Sequence, residues 1–224
     1  MNRIFIGYDH RQPISYNVLQ SSIIRRTTEP VSISPLILNT LPITRQGLTP
    51  FTFSRFMVPY LCNYEGWALF LDIDMLVLSD ISELFKCADD KYSVMVSKNE
   101  HKFEWASAIL FNCSKCKELT PDYVQTAKGL HSISWLKDEQ IGDLPREWNH
   151  LVGYDKKRPD AKLAHYTQGI PAFPETETSE YANEWMEEAK FCQSSMSWVY
   201  LMGNSVHATL NKDGNLVPKF TVAA

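Results

Sequence analysis

Residues Trp67 to Leu76 read WALFLDIDML, an apolar run that contains two aspartates two positions apart, Asp72 and Asp74. Alternate residues of a β-strand point to the same side, so an extended chain projects both carboxylates together. In an α/β sheet the carboxyl end of such a run is the edge at which ligands bind. Neighbouring carboxylates repel each other unless a cation lies between them, and Mg²⁺ and Mn²⁺ prefer oxygen ligands. The stretch therefore predicts a divalent-cation site at a strand end.

The segments on either side of this run alternate between strand and helix patterns. RIFIGYD (3–9) has the pattern of a buried first strand, and Pro13 then suits the first turn of a helix. VSISPLIL (31–38) alternates as a second strand does, and SRFMVPYLC (54–62) predicts a helix with Ser54 as its N-cap. Strand, helix and strand in succession predict an α/β fold of Rossmann-like type, with a mostly parallel central sheet flanked by helices.

Length and composition favour one main domain. The chain has 224 residues, of which 44% are hydrophobic, so it can bury a full core. We expect this domain to span residues 1–175. Beyond it, residues 175–190 predict an acidic helix, and NKDGN (211–215) predicts a hairpin turn. Residues 176–224 are therefore expected to form a helix and hairpin appendage packed on the main domain.

Charge and cysteine content exclude several kinds of partner. The 22 basic and 26 acidic residues give a net charge of -4 without a block of like charge, so no nucleic-acid partner is expected. No apolar run approaches the ~18 residues of a membrane span, and the N-terminus lacks a secretory apolar region. Five scattered cysteines do not suit a secreted disulfide framework, and the spacing of Cys113 and Cys116 fits a structural role. We expect a cytoplasmic protein, and composition predicts no oligomeric state.

Two classes of enzyme use an apolar strand that ends in a pair of aspartates. In one class the acids hold a metal ion that bridges the diphosphate of a sugar nucleotide. In the other, the haloacid-dehalogenase-like phosphatases, Asp72 would be the nucleophile and Asp74 the general acid. Leu76 stands where those phosphatases usually have Thr or Val. A structural alternative is a strand-end turn whose two acids are solvated or cap the next helix.

The pattern of the whole chain resembles the GT-A glycosyltransferases, specifically the retaining family-eight group or a bacterial relative of it. Four blocks carry the resemblance: IFIGYD (4–9), SRFMVPYLCNYEGWALFLDIDMLVLSDISELF (54–85), WLKDEQIGDLPREWN (135–149) and KLAHYTQGIPAF (162–173). The resemblance implies a GT-A fold over residues 1–175. It also implies transfer of a hexosyl unit from a nucleotide diphosphate sugar, UDP-linked, to an acceptor hydroxyl, with retention of configuration and dependence on Mn²⁺ or Mg²⁺.

The resemblance also assigns roles to individual residues. These are Tyr8 and Asp9 beside the nucleotide base, Arg55 against the diphosphate, Ile73 and Gly169 as further donor contacts, Asp72, Asp74 and His165 as metal ligands, and Asp138 or Glu139 beside the transferred sugar. Physical chemistry supports part of this set independently. Two carboxylates and an imidazole are a suitable ligand set for manganese, and a guanidinium binds phosphate oxygens in pairs.

Two features of the sequence keep further alternatives open. The family's late motif continues to a Lys, whereas this chain reads Ile170-Pro171-Ala172-Phe173, so a catalytically inactive sugar-nucleotide-binding protein is a second hypothesis. The segment that usually carries Asn and small residues reads EWASA (104–108) here. Trp148 suits either a packed core position or a platform on which a sugar stacks.

Overall fold

The computed structural model describes residues 1–192, 208–213 and 215–218. Its strands are β1 (Asn2–Gly7), β2 (Val31–Leu36), β3 (Trp67–Leu71), β4 (Met75–Val77), β5 (Val94–Val96), β6 (Ala108–Asn112), β7 (Ile141–Asp143), β8 (His150–Leu151), β9 (Leu163–His165), β10 (Ala208–Leu210) and β11 (Leu216–Pro218). Its α-helices are α1 (Pro13–Ile24), α2 (Phe51–Ser54), α3 (Val58–Leu61), α4 (Ser82–Phe85), α5 (Pro121–Thr126) and α6 (Ala182–Cys192).

The central sheet has six strands in the order β2-β1-β3-β6-β5-β7. Strand β1 pairs in parallel with β2 and β3, and β5 pairs in parallel with β7. Strand β6 lies between β3 and β5 and runs antiparallel to both. All strands except β6 therefore run in one direction, which confirms the predicted mostly parallel sheet. Their carboxyl ends, including the end of β3 just before Asp72, share one edge.

A second, smaller sheet continues from the end of β3. Its order is β4-β9-β8, with β9 antiparallel to β4 and parallel to β8. The stretch WALFLDIDML is thus two strands, because β3 ends at Leu71 and β4 begins at Met75. Asp72 and Asp74 lie in the connection between the two sheets. Met75 stands opposite His165 in the ladder, which brings the imidazole to this connection.

The apolar residues of β3 face two different layers of the core. Ala68 and Phe70 pack in one buried cluster, while Leu69 and Leu71 pack on the other face of the sheet. This alternation explains why the run is apolar throughout, since a strand covered on both faces has no solvent side. Trp148 is buried in the second cluster, so it is a core residue and does not offer a sugar platform.

The predicted helix over 54–62 differs from the structure. The chain forms α2, a short 3-10 turn and α3 instead, and Ser54 is the buried last residue of α2. Pro50 precedes α2 with a φ of -57°, so the helical course begins before Ser54. Ser54 is therefore not an N-cap. Cys113 and Cys116 are buried free thiols, in agreement with a structural role for that pair.

The appendage is described in part. Helix α6 begins at Ala182, later than the acidic pattern predicts, and packs along α1. Strands β10 and β11 pair antiparallel on either side of the predicted hairpin turn. Residues 193–207, 214 and 219–224 of the predicted appendage, including one position of the predicted hairpin turn, lie outside the described part of the chain, and the division into 1–175 and 176–224 stays a prediction. Within the described residues, no helix has the length and apolarity needed to cross a membrane.

A buried carboxylate fixes α6 to α1. Glu188 on α6 accepts hydrogen bonds from Ser21 and from the guanidinium groups of Arg25 and Arg26, at 3.2 and 3.0 Å respectively. We expect Glu188→Ala to lower the free energy of unfolding by about 2 kcal/mol, because charged hydrogen bonds are lost while the partly exposed arginines return to water. Urea denaturation measures the change. Glu187→Ala, on the exposed face of α6, is the control and should stay within about 0.5 kcal/mol of the wild type.

Candidate metal and donor site

The structure brings together the three predicted metal ligands. Asp72, Asp74 and His165 each offer one ligand atom, and these atoms all lie within 4.8 Å of one another. The Nε2 atom of His165 is 3.4 Å from Oδ1 of Asp74. The Oδ1 atom of Asp74 is buried without a hydrogen-bond partner, and Oδ1 of Asp72 contacts the Arg55 guanidinium at 2.9 Å. Because buried carboxylate oxygens are unfavourable without a donor or a cation, this arrangement fits a divalent ion.

The three side chains differ in their access to solvent. His165 is 2% exposed and Asp72 is buried, whereas the side chain of Asp74 is 27% exposed. Asp72 lies directly after β3, and its N–H donates to the carbonyl of Ser107 at 2.9 Å. The backbone carbonyl of Asp74 accepts a hydrogen bond from the N–H of Tyr166 at 2.9 Å. This bond joins the connection between β3 and β4 to the end of β9. The cluster is therefore held by backbone hydrogen bonds from both sheets and is open to solvent on the Asp74 side.

Arg55 is a buried partner of Asp72. Its Nη2 lies 2.9 Å from Oδ1 of Asp72 in an ionic contact, and its Nη1 donates to the carbonyl of Ala106 at 2.6 Å. The guanidinium carbon also lies 5.0 Å from the centre of the Phe70 ring. The 3-10 turn after α2 places Arg55 on the inside of the fold. The residue therefore anchors Asp72, and it brings a fixed positive charge to the place where the sequence predicts a diphosphate.

Burial and clustered charge shift the protonation of this site. Burial raises the pKa of Asp72 to about 7, against the opposing effect of the Arg55 guanidinium. Burial lowers the pKa of His165, but the surrounding carboxylates, Asp74 foremost, outweigh it and leave that pKa above its usual value. The Asp72 shift thus comes mainly from burial, whereas the His165 shift comes from the carboxylates around the ring. A divalent cation is the kind of ligand that offsets the negative charge of several neighbouring carboxylates.

Glu104 lies beside this cluster, and no motif in the sequence identifies it. Its Oε2 lies 3.7 Å from Nδ1 of His165, and its side chain is 12% exposed. It comes from a 3-10 helix, Lys102–Ser107, that leads into β6. Because β6 is antiparallel, the start of that strand, and not its end, lies at the ligand edge. The only sequence signal was the unusual EWASA segment.

A cavity of about 750 Å³ opens beside the ends of β1 and β2. It is lined by Tyr8, His10 and Arg11 after β1, and by residues of the loop that follows β2. The loop residues are 37–39, 41, 43, 44 and 46–50. This volume suits a ligand of nucleotide size. Tyr8 lines this cavity, and its predicted contact with a nucleotide base stays a prediction.

Asp9 is buried next to this cavity and is already paired. It accepts hydrogen bonds from the guanidinium of Arg11, the shortest at 2.6 Å, and from the Arg11 N–H at 2.9 Å. The hydrogen bond from the Arg11 side chain keeps the pKa of Asp9 below its usual value, against the effect of burial. The carboxylate is therefore ionised, and Arg11 stands between it and the open cavity.

Two further predicted donor contacts occupy different surroundings. The side chain of Ile73 is buried in the core cluster that contains Phe70, so only its backbone faces the cation site. Gly169 has a φ of +126°, which favours glycine, and it borders a second cavity of about 360 Å³ beside Tyr166. A donor contact through either residue stays a prediction.

The structure does not bring Asp138 and Glu139 to the cluster. Both are exposed in a short 3-10 helix that ends just before β7. Strands β7, β5 and β3 run in the same direction, so residues before β7 lie at the amino edge of the sheet. Asp72 lies after β3, at the opposite edge. The expected place of these acids beside the transferred sugar is therefore not observed, and their predicted role has no geometric support.

Comparison with curated proteins finds two informative relatives, while no family model matches the chain. Protein CDI of Arabidopsis thaliana is 38% identical over 222 residues, which cover 83% of this chain and 85% of that protein. The glycosyltransferase GlyB of Streptococcus pneumoniae is 29% identical over 154 residues, which cover 61% of this chain. The match spans only 36% of GlyB.

Solved structures identify the fold. The WbbM bifunctional glycosyltransferase superposes with a TM-score of 0.67 at 17% identity, over 84% of this chain and 49% of that one. The galactosyltransferase LgtC, solved with donor and acceptor sugar analogues, superposes with a TM-score of 0.63 at 12% identity, over 84% of this chain and 95% of that one. These superpositions confirm the predicted α/β architecture. The chain has the GT-A glycosyltransferase fold and belongs to the family of the plant Protein CDI.

Proposed function

We propose that this chain is a glycosyltransferase that depends on Mn²⁺ or Mg²⁺ and moves a hexosyl unit from a UDP-linked sugar to an acceptor hydroxyl. The carrying observation is the cluster of Asp72, Asp74 and His165, whose ligand atoms all lie within 4.8 Å of one another, with Oδ1 of Asp74 buried without a hydrogen bond. The cluster lies at the same sheet edge as the cavity that Tyr8 lines. The names of GlyB and LgtC describe glycosyl transfer in proteins similar to this one, which supports the same chemistry here.

Each side chain of the cluster has a defined task in this proposal. Asp72, Asp74 and His165 hold the cation, and Arg55 holds Asp72 in place through its ionic contact. Tyr8 borders the space for the nucleoside, so the diphosphate extends from that cavity toward the carboxylates. A bound Mn²⁺ or Mg²⁺ supplies Lewis-acid stabilisation to the departing nucleoside diphosphate. Retention of configuration is part of the proposal and follows from the family-eight likeness.

Exposed aromatic side chains beside the cluster support a saccharide acceptor. Phe103, next to Glu104, and Tyr154, just after β8, are both exposed. The ring of His101 lies between them, with its centre 5.9 Å from Phe103 and 5.2 Å from Tyr154. Aromatic faces of this kind are apolar surfaces on which a sugar ring can pack. They lie on segments that also contact His165, so an acceptor stacked there would be close to the cation site.

The phosphatase hypothesis has less support. Its nucleophile would be the carboxylate of Asp72, which is buried and fixed by the Arg55 guanidinium. The GT-A fold also differs from the fold of that enzyme class. The inactive sugar-nucleotide binder remains the second candidate, because this chain reads Ile170-Pro171-Ala172-Phe173 where the similar family continues to a Lys.

Thermal-shift measurements with UDP, with and without Mn²⁺, test the proposal. A ligand that binds only the folded state stabilises it by about 2.7 kcal/mol at a hundredfold excess over its Kd, which corresponds to roughly 5–10 °C for a protein of this size. We expect such a shift when both UDP and Mn²⁺ are present and a much smaller one with UDP alone. ADP with Mn²⁺ is the control, because a smaller shift with ADP than with UDP shows that binding depends on the uracil base.

A second measurement distinguishes transfer from binding. We expect the chain to release UDP from UDP-glucose or UDP-galactose when a mixture of mono- and disaccharide acceptors is added. A manganese-dependent shift without UDP release would favour the inactive binder. Hydrolysis of a simple phosphate ester, together with trapping of a phosphoaspartate by metal fluoride, would favour the phosphatase. The absence of any UDP or Mn²⁺ effect would contradict the proposed function.

A further inference from the structure

We propose that Glu104 is a positioning residue that orients the His165 imidazole so that its Nε2 faces Asp72 and Asp74. The inference rests on the proposed function, because it assigns His165 to a cation site. It adds a residue that lies outside the Asp, Asp and His set. It also explains a role for the EWASA segment (104–108), which stands where the similar family has Asn and small residues. In this role the segment supplies Glu104 to the imidazole.

The two nitrogens of His165 face different acids. Nε2 lies 3.4 Å from Oδ1 of Asp74, whereas Nδ1 lies 3.7 Å from Oε2 of Glu104. The two nitrogens lie on different sides of an imidazole ring, so Glu104 approaches the side away from the aspartates. The group of atoms close enough to share a cation includes both aspartates and His165. Glu104 is therefore placed to act on the imidazole, while the aspartates share the cation with it.

The contact between His165 and Glu104 matters because the imidazole ring is buried. His165 is 2% exposed, and its Nδ1 is buried without a hydrogen-bond partner at the present separation. A buried imidazole nitrogen without a partner is unfavourable. The separation of 3.7 Å is longer than a hydrogen bond, which needs about 3 Å, so a sub-ångström shift of either side chain completes it. A ring that binds a cation through Nε2 carries its proton on Nδ1, and Glu104 is the carboxylate that can accept it.

The backbone around Glu104 fixes its position relative to the metal ligands. The carbonyl of Glu104 accepts hydrogen bonds from the buried Asn149 side chain at 3.3 Å and from the Ser107 hydroxyl at 2.6 Å. In the same 3-10 helix, the carbonyl of Ala106 accepts from Arg55, and that of Ser107 accepts from Asp72. One six-residue segment, Lys102–Ser107, thus contacts Arg55, Asp72 and His165. The backbone of Glu104 is therefore held close to the backbone of Asp72, and the Glu104 side chain starts from a defined position.

Mn²⁺ affinity of the full chain, measured from the electron paramagnetic resonance signal of free Mn²⁺, tests this role. Loss of a carboxylate that orients a ligating imidazole weakens metal binding by about 10–100-fold, and we expect that loss for Glu104→Ala. Glu104→Gln should lose less, because its amide oxygen still accepts from Nδ1–H. Glu100→Gln is the matched control, since that side chain lies just before the same segment and is 88% exposed. It should change affinity by less than about twofold.

A spectroscopic readout tests the orientation without metal. In the ¹⁵N-histidine spectrum of the metal-free protein at alkaline pH, the neutral His165 ring should carry its proton on Nδ1 in the wild type and in Glu104→Gln. In Glu104→Ala the proton should move toward Nε2. Circular dichroism melting of each variant confirms that the chain is folded before either readout is compared.

Several results would overturn the inference. One is Mn²⁺ affinity in Glu104→Ala equal to that of the wild type. Another is equal losses in Glu104→Gln and Glu104→Ala, which would assign the effect to charge alone. A third is an unchanged His165 tautomer in Glu104→Ala. If the wild type itself binds no Mn²⁺, the proposed function fails, while the tautomer measurement still decides whether Glu104 orients the ring.

Discussion

Asp74→Asn is expected to abolish the manganese-dependent part of the UDP-induced thermal shift and to lower glycosyl transfer on the order of a hundredfold or more. The variant keeps the shape of the side chain but removes the charge from a carboxylate that faces His165 at 3.4 Å. Loss of a residue that only supports a metal ligand already costs about 10–100-fold in affinity, and loss of a ligand costs at least the upper end of that range. Mn²⁺ titration and UDP release measure the two effects.

The same variant should fold almost as stably as the wild type. The Asp74 side chain is 27% exposed and has no arginine partner among the described residues, so its charge is not needed to neutralise a buried group. Asp138→Asn is the matched control, because Asp138 is exposed at the opposite edge of the sheet. It should leave Mn²⁺ affinity unchanged. Full manganese dependence in Asp74→Asn, or an equal loss in Asp138→Asn, would contradict the assignment of the cation to this cluster.

Arg55→Met is expected to lower the free energy of unfolding by about 3–5 kcal/mol, which is the usual cost of removing one partner of a buried ion pair. Arg55 is buried, pairs with Asp72 at 2.9 Å and donates to the Ala106 carbonyl. The substitution leaves the Asp72 carboxylate buried beside Asp74 without its countercharge. Equilibrium denaturation in urea, in the absence of divalent metal, measures the loss.

A double-mutant cycle separates the pair from the general effect of cutting a buried side chain. Arg55→Met combined with Asp72→Asn should lose less stability than the sum of the two single variants, because neither buried charge is then left alone. Arg55→Lys should fall between wild type and Arg55→Met, since a Lys keeps the charge but cannot form the second contact to Ala106 in the same geometry. Additive losses in the cycle would show that the ion pair does not stabilise the fold.

The local pattern of the sequence is sufficient to predict the strands that carry the site. The apolar run before Asp72 predicts β3, and the paired acids predict a cation, because both depend on neighbours within a few residues. His165 is different. It reaches Asp74 through the pairing of β9 with β4, a contact between segments far apart in the chain. Its assignment therefore depended on a family resemblance, and by itself the residue looked like an ordinary core histidine.

Three features of the site could not be specified by local patterning, for a common physical reason. The burial of Arg55 depends on Asp72 and Ala106, which come from other parts of the fold. Glu104 reaches His165 from a short 3-10 helix that has no periodic signal. Asp138 lies at the amino edge because the direction of β7 follows from sheet order, which local patterning does not specify. In each case a long-range contact determined the outcome.

Because β6 runs antiparallel to its neighbours, the ligand edge of the sheet is built from two separate sets of loops. The cavity that includes Tyr8 is built by loops that follow β1 and β2, whereas Glu104 is supplied by the loop that joins β5 to β6. Insertions or deletions in one of these loops need not disturb the other, because the rigid sheet separates their anchoring points. Under the proposed function, changes in the β5–β6 loop would alter the side that meets the acceptor, while the loops after β1 and β2 keep the side that meets the nucleotide.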